Sequence, residues 1–168
     1  MPQPYLGIHY FTDGLHYRQE DLRQWLPILR SLKLPWLILH SSARTSIPET
    51  FVRTLIDNNI QPTIHFQPAL ASAPTTQEFH LLFKLYARWG IKHVVLFDHP
   101  NLRESWPTAD WVRANPVDRF LDLFVPRAEA ALDAGLTPLL PPLEPGGDYW
   151  DTVFLKTALL GLIQRGQN

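Results

Sequence analysis

The chain has 168 residues, a net charge of −1 and no cysteine. This length suits one domain over residues 1–168. The charge gives no reason to expect nucleic acid or an anionic membrane as a partner, and the lack of cysteine excludes disulfides and thiolate chemistry. No apolar stretch is long enough for a membrane span and MPQPYLG does not resemble a signal peptide, so we expect a cytoplasmic protein.

Short apolar runs alternate with amphipathic segments along the whole chain. The apolar runs predict strands, and the segments with apolar residues at helical spacing predict helices. The predicted strands cover residues 5–11, 36–40, 62–66, 94–97 and 136–143. The predicted helices cover residues 19–32, 48–56, 76–89, 115–134 and 154–164.

The spacing of the strands predicts the architecture. The strand centres lie near Ile8, Leu37, Ile64, Val95 and Leu139 and are 27 to 44 residues apart, which is typical of βα crossover units in a parallel sheet. An α/β fold follows, either a partial TIM (β/α) barrel with about five parallel βα units or an open doubly wound parallel sheet. The first loop, FTDGLHY, has no glycine-rich phosphate-binding pattern, which argues against a nucleotide-binding form of the second architecture.

Polar residues follow the fourth strand where it ends. The segment at residues 97–101 is FDHPN, and Trp106 and Trp111 come later in the same loop. Ligands of parallel α/β proteins bind at the carboxyl ends of the strands. Polar groups beside aromatic rings suit the hydroxyl groups and the C–H faces of a sugar. The pattern therefore favours a carbohydrate or other polyhydroxylated small molecule, with a simple proline turn as the alternative.

The FDHPN segment resembles the WNEPN signature that ends the fourth strand in the clan of retaining glycoside hydrolases with (β/α)₈ barrels. The resemblance covers most of the chain loosely and sharpens again at PPLEPGGDYWDTVFL, after the fifth strand. It puts Asp98 in the place of the sugar-binding Asn and His99 in the place of the acid/base Glu. The nucleophile of that clan follows strand seven, beyond the five units seen here. The resemblance therefore implies an incomplete barrel that binds carbohydrate and is inactive as a hydrolase.

The catalytic candidates are His99 and Glu144, because Glu144 directly follows the fifth strand and can face Asp98 across the rim. Retaining hydrolysis requires two carboxyl groups about 5–5.5 Å apart and inverting hydrolysis about 6.5–9.5 Å. Glu104 lies further along the strand-four loop and is interpreted as a solvated charge. The candidates for substrate binding are Asp98, Asn101, His65, Trp106 and His9.

Histidines end four consecutive strands, at His9, His40, His65 and His99. Imidazoles gathered at one rim can bind a divalent metal, so a metal-dependent hydrolase is an alternative function. The sequence has neither a paired HxH nor an HExxH motif, and side chains alternate between the faces of a strand. We therefore expect no metal ion and no other cofactor.

The third alternative is a non-catalytic scaffold or interaction module. A five-stranded sheet has two edge strands, and open edges pair readily with other chains. The predicted partners are therefore a second copy of this chain or a missing C-terminal portion of the barrel.

Overall fold

The computed structural model describes residues 7–107, 111 and 115–166. The strands are β1 (Ile8–His9), β2 (Trp36–Ser41), β3 (Gln61–Phe66), β4 (His93–Leu96) and β5 (Thr137–Leu139). The helices are α1 (Gln19–Ser31), α2 (Glu49–Asp57), α3 (Thr76–Arg88), α4 (Pro116–Asp133) and α5 (Asp151–Gln164). Two single-turn 3₁₀ helices, Leu70–Ser72 and Arg103–Ser105, lie in the loops after β3 and β4.

The five strands form one parallel sheet in the order β1-β2-β3-β4-β5. A doubly wound sheet reverses its strand order at a switch point, whereas a barrel adds each strand beside the previous one. The sequential order is therefore that of five consecutive units of a (β/α) barrel. The prediction of a partial barrel is confirmed, and the doubly wound alternative is wrong.

The two edge strands are shorter than predicted. β1 covers two residues and is extended by one further bond, from the Tyr10 N–H to the Ile38 carbonyl, at 2.9 Å. Residues 5 and 6 of the predicted first strand lie outside the described residues. β5 has three residues, because Pro141 and Pro142 have no N–H to donate to a neighbouring strand. The prediction of a strand over residues 136–143 was too long for this reason.

Alternation along the central strands separates two faces of the sheet. Leu37 and Leu39 on β2, and Ile64 and Phe66 on β3, are fully buried in the hydrophobic core with the helices. The residues between them point to the opposite face, because successive side chains of a strand alternate. We call that opposite face, which carries Ile38, His40, Thr63 and His65, the inner face. It corresponds to the interior of a closed barrel.

The last helix exposes much of its apolar surface. In α5, Phe154 and Ala158 are buried against the rest of the domain. Five other apolar residues of this helix are between 42% and 61% exposed: Val153, Leu155, Leu159, Leu160 and Ile163. Contiguous apolar surface of this kind marks an interaction site or an aggregation liability. None of the described helices is both long enough and apolar enough to cross a lipid bilayer.

We expect the isolated chain to self-associate or to be poorly soluble, because α5 and the edge strand β5 both present unpaired or apolar surface. The double substitution L160K/I163K should shift the population toward monomer in size-exclusion chromatography with light scattering. Leu81→Lys is the matched control, since Leu81 is 69% exposed on α3, a different helix. A monomer at high concentration that binds no hydrophobic dye would contradict this expectation.

Candidate functional site at the carboxyl ends of the strands

The chain makes a strained turn where β4 ends. Phe97 has a φ of 72° and His99 a φ of 38°, both in the left-handed region that non-glycine residues rarely adopt. The Phe97 ring is fully buried, and its N–H donates to the Phe66 carbonyl at 2.9 Å, so packing and hydrogen bonding hold the turn in place. Such conformations cost about 1–3 kcal/mol each and cluster at functional sites. The strained turn therefore makes the end of β4 a candidate functional site.

Asp98 lies between the β3 loop and the β4 loop. Its Oδ2 accepts a hydrogen bond from Gln67 Nε2 at 2.9 Å and lies 3.2 Å from His99 Nδ1. Its Oδ1 is buried without a hydrogen-bond partner among the described residues and lies 3.7 Å from His65 Nε2. One carboxylate oxygen thus faces the loops, and the other faces the inner-face histidines.

His99 lies between two carboxylates. Its Nδ1 contacts Asp98, and its Nε2 is 3.7 Å from Glu144 Oε2. The His99 backbone N–H donates to the Pro142 carbonyl at 3.1 Å, which fixes the turn against the β5 loop. The side chains of His99 and Glu144 are 34% and 50% exposed, so a solute can reach both. The structure therefore brings together Asp98, His99 and Glu144, as their positions at the ends of adjacent strands suggested.

Asn101 joins the β4 loop to the β5 loop. Its Nδ2 donates to the backbone carbonyls of Glu144 at 2.8 Å and Tyr149 at 3.1 Å, and its Oδ1 accepts the Glu144 N–H at 2.9 Å. The side chain is fully buried. Asn101, which the sequence analysis placed among the substrate-binding residues, therefore has its amide committed to loop structure and no surface to offer a ligand.

Trp106 is also enclosed. It is 7% exposed, its Nε1 donates to the Pro100 carbonyl at 2.8 Å, and the Arg119 guanidinium lies 5.7 Å from its ring centroid. A ring with so little open face cannot act as the sugar platform that the sequence analysis expected. Trp111 is half-buried against the core, and Trp150 is 64% exposed. The sequence alone did not show which of the tryptophans after the strands pack inside the domain and which are exposed.

Three of the four strand-end histidines form a cluster on the inner face. One ring nitrogen from each of His9, His40 and His65 lies within 4.8 Å of the other two, and His9 Nδ1 is 3.2 Å from His40 Nε2. The Tyr17 hydroxyl donates to the His40 carbonyl at 2.6 Å and fixes that end of β2. His99 lies outside the cluster because the turn at Phe97 takes it off the strand and toward Glu144.

Burial favours the neutral form of two of these rings, His65 and His9. Burial lowers the pKa of His65 below its ordinary value. The pKa of His9 is lowered by partial burial and by the neighbouring His40. The His65 Nε2 lies 2.8 Å from the Phe97 carbonyl, which can only accept, so this nitrogen carries the proton. The lone pair of neutral His65 is then on Nδ1.

A cleft with a volume of about 350 Å³ opens between the β3 and β4 loops. One wall is formed by residues 67–70 and the other by residues of the β4 loop: Asp98, His99, Leu102, Glu104 and Ser105. Gln67 directly follows β3 but was not among the residues predicted from the sequence, and Glu104 was interpreted there as a solvated charge. A cleft of similar volume opens between the loops after β1 and β2, and the described residues that line it include no carboxylate.

No family model matches the chain, and no curated protein matches it. Among solved structures, a sugar phosphate isomerase/epimerase from Parabacteroides distasonis ATCC 8503 is similar, with 15% sequence identity and a TM-score of 0.49. The similarity covers 90% of this chain and 60% of that one, so this chain spans less than two thirds of the length of that protein. The assignment of the fold rests on the order of the strands, and the function on the site itself.

Replacement of Asn101 tests its assignment as a link between loops. Asn101→Ala should lower the free energy of unfolding by about 2 kcal/mol, because buried backbone groups of the β5 loop lose their partners. Urea denaturation followed by circular dichroism measures this change. Asn58→Ala is the control with a smaller expected loss, since the half-buried Asn58 side chain donates one hydrogen bond, to the Thr54 carbonyl. Equal stability of Asn101→Ala and the unmodified chain would contradict the assignment.

Proposed function

We propose that this chain is a glycoside-hydrolase-like barrel protein that binds a carbohydrate or other polyhydroxylated small molecule and does not hydrolyse glycosides. The ligand would occupy the cleft between the β3 and β4 loops. The observation that supports the proposal is the pairing of Asp98 with His99 at the strained end of β4, on the wall of that cleft.

The chemistry of the cleft suits hydroxyl groups. Carboxylates accept hydrogen bonds, an imidazole N–H donates one, and a carboxamide does both, so vicinal hydroxyls can be matched by Asp98, His99 and Gln67. Glu104 adds an exposed carboxylate on the same wall. The half-buried Leu102 contributes apolar surface against which C–H groups can pack. Ligand sites combine a few placed polar groups with apolar lining in this way.

The proposed binding residues differ from those chosen from the sequence. Asp98 stays in the set, and His99 joins it as a binding residue. Gln67 and Glu104 are added because they line the same cleft. Asn101 and Trp106 are assigned to packing, and His65, only 2% exposed, belongs with His9 to the inner-face cluster.

Binding can be tested with a panel of monosaccharides and oligosaccharides by isothermal titration calorimetry. We expect at least one member to bind, and Gln67→Ala and Glu104→Gln each to weaken that binding about tenfold, which corresponds to about 1.4 kcal/mol. The control is Asp57→Asn, an exposed carboxylate at the end of α2. Binding that neither cleft variant alters, or no binding to any sugar at millimolar concentration, would overturn the proposal.

The proposal excludes hydrolysis because the position of the general acid holds an imidazole. In the clan that the chain resembles, one carboxyl group protonates the leaving oxygen and a second attacks the anomeric carbon. Here the residue at the position of that acid is His99, whose ring lies between the carboxylates of Asp98 and Glu144. General acid catalysis contributes roughly 10²–10⁴-fold to a rate. Loss of that group alone would remove most of the activity.

An assay on aryl glycosides and oligosaccharides should show no turnover above the rate without protein. His99→Glu should also be inactive, because restoring one carboxyl group does not supply a nucleophile on the opposite face of the sugar. If the unmodified chain turns over a substrate and Glu144→Gln does not, this part of the proposal is contradicted and Glu144 is identified as a catalytic residue. Glu20→Gln, at the exposed start of α1, is the control for that variant.

A non-catalytic interaction role is the second candidate function. The observation that favours it is the exposed apolar surface of α5, which lies on a helix and not at the strand-end cleft. Sugar binding that depends on Gln67 separates the two candidates, since an interaction module has no use for the polar cleft.

A further inference from the structure

The inner-face histidines point to a second site, distinct from the cleft. We infer that His9, His40 and His65 together bind one divalent transition-metal cation of the zinc class. One ring nitrogen from each residue already lies within 4.8 Å of the other two. The inference departs from the expectation drawn from the sequence, and it stands independently of the proposed carbohydrate binding.

The register of the sheet brings the three rings together. His40 on β2 is the direct partner of His65 on β3. His9 on β1 is the partner of Ile38, two residues before His40, and residues i and i+2 of a strand share a face. All three imidazoles therefore project from the inner face of adjacent strands, which supply one ligand each.

The distances are close to those of a nitrogen-ligated zinc site. Zinc–nitrogen bonds of 2.0–2.1 Å in a tetrahedral site place neighbouring ligand nitrogens about 3.3 Å apart. The His9 Nδ1 to His40 Nε2 distance is 3.2 Å. The three nitrogens that the cluster offers lie within 4.8 Å of one another, so they would have to approach by up to about 1.5 Å to reach the spacing of a zinc site.

The hydrogen bond of His65 prepares its other nitrogen for a metal. Its Nε2–H donates to the Phe97 carbonyl at 2.8 Å, which leaves the lone pair of the neutral ring on Nδ1. Metal-binding histidines commonly donate their second ring N–H to a backbone carbonyl or a carboxylate, and this partner fixes the ring orientation. The strained turn at Phe97 supplies the carbonyl, and Asp98 Oδ1 lies 3.7 Å from the same nitrogen.

Two polar atoms at the cluster have no hydrogen-bond partner among the described residues. They are His40 Nδ1 and Asp98 Oδ1, and both are buried. Buried polar atoms are nearly always partnered in native proteins, and an ion or an ordered water commonly accounts for the exceptions. Water molecules held beside a cation bound at the other ring nitrogens would partner these two atoms, which the described residues leave without a hydrogen bond.

The cluster is open on one side. His40 and His65 are buried, whereas His9 is exposed, so solvent reaches the rings beside β1. Three protein ligands with a reachable fourth position are typical of zinc sites that bind water or a ligand, and four protein ligands of structural sites. The competing explanation is a metal-free cluster in which the rings hydrogen-bond to one another.

Metal analysis decides between these explanations. The chain, purified without a polyhistidine tag and treated with a chelator, is incubated with Zn²⁺, dialysed and analysed for metal. We expect about one equivalent per chain and a rise in the thermal unfolding midpoint when Zn²⁺ is added, because a ligand that binds only the folded state stabilises it.

The variant that removes a ligand with least risk to folding is His9→Ala, because His9 is exposed at the edge of the sheet. It should lose both the stoichiometric zinc and the thermal shift while its circular dichroism stays unchanged. His80→Ala, which removes an imidazole of α3 outside the cluster, should retain both. Failure of the unmodified chain to hold zinc, or equal retention of zinc by His9→Ala, would overturn the inference.

Discussion

The stagger between neighbouring parallel strands decides which side chains meet in this molecule. β2 and β3 pair with His40 opposite His65, and a shift of one residue would exchange the inner face of either strand for its core face. Leu37, Leu39, Ile64 and Phe66 fix the register because each is fully buried in the core with the helices. The polar arrangement on the inner face is therefore a consequence of hydrophobic burial on the other face. No attraction between the histidines is needed to bring them together on the inner face.

The turn after β4 connects the two proposed sites. Phe97 directs its carbonyl at His65, and the next residue, Asp98, directs one oxygen to the inner face and the other to the cleft. His99 then leaves the line of the strand and lies between two carboxylates. Three consecutive residues, Phe97, Asp98 and His99, thus contact three different parts of the molecule. A backbone that costs energy to form is held here by the burial of the Phe97 ring.

The sequence was sufficient for a parallel α/β fold, because apolar runs that alternate with amphipathic helices at a regular spacing admit few folds, and the strand order then decided between the two architectures that remained. It also placed Asp98, His99 and Glu144 at one rim, since residues that end adjacent parallel strands must lie there. It could not show that Asn101 and Trp106 turn inward, because that depends on how two loops pack together. It placed the four strand-end histidines at one rim, but it could not show that His9, His40 and His65 converge while His99 turns away, because this depends on the strand register and on the turn at Phe97.

Asn101 has a consequence for recognition as well as for stability. Loops that carry binding residues are ordinarily the most mobile part of a domain, and immobilising them on a ligand costs affinity. The buried amide of Asn101 fastens the segment holding His99 to the segment holding Glu144 through three backbone contacts. These contacts join the two segments, so part of their conformational entropy is lost when the chain folds and not when a ligand binds. The surface that a ligand contacts at this rim is therefore preorganised, and little binding affinity is spent on ordering the loops.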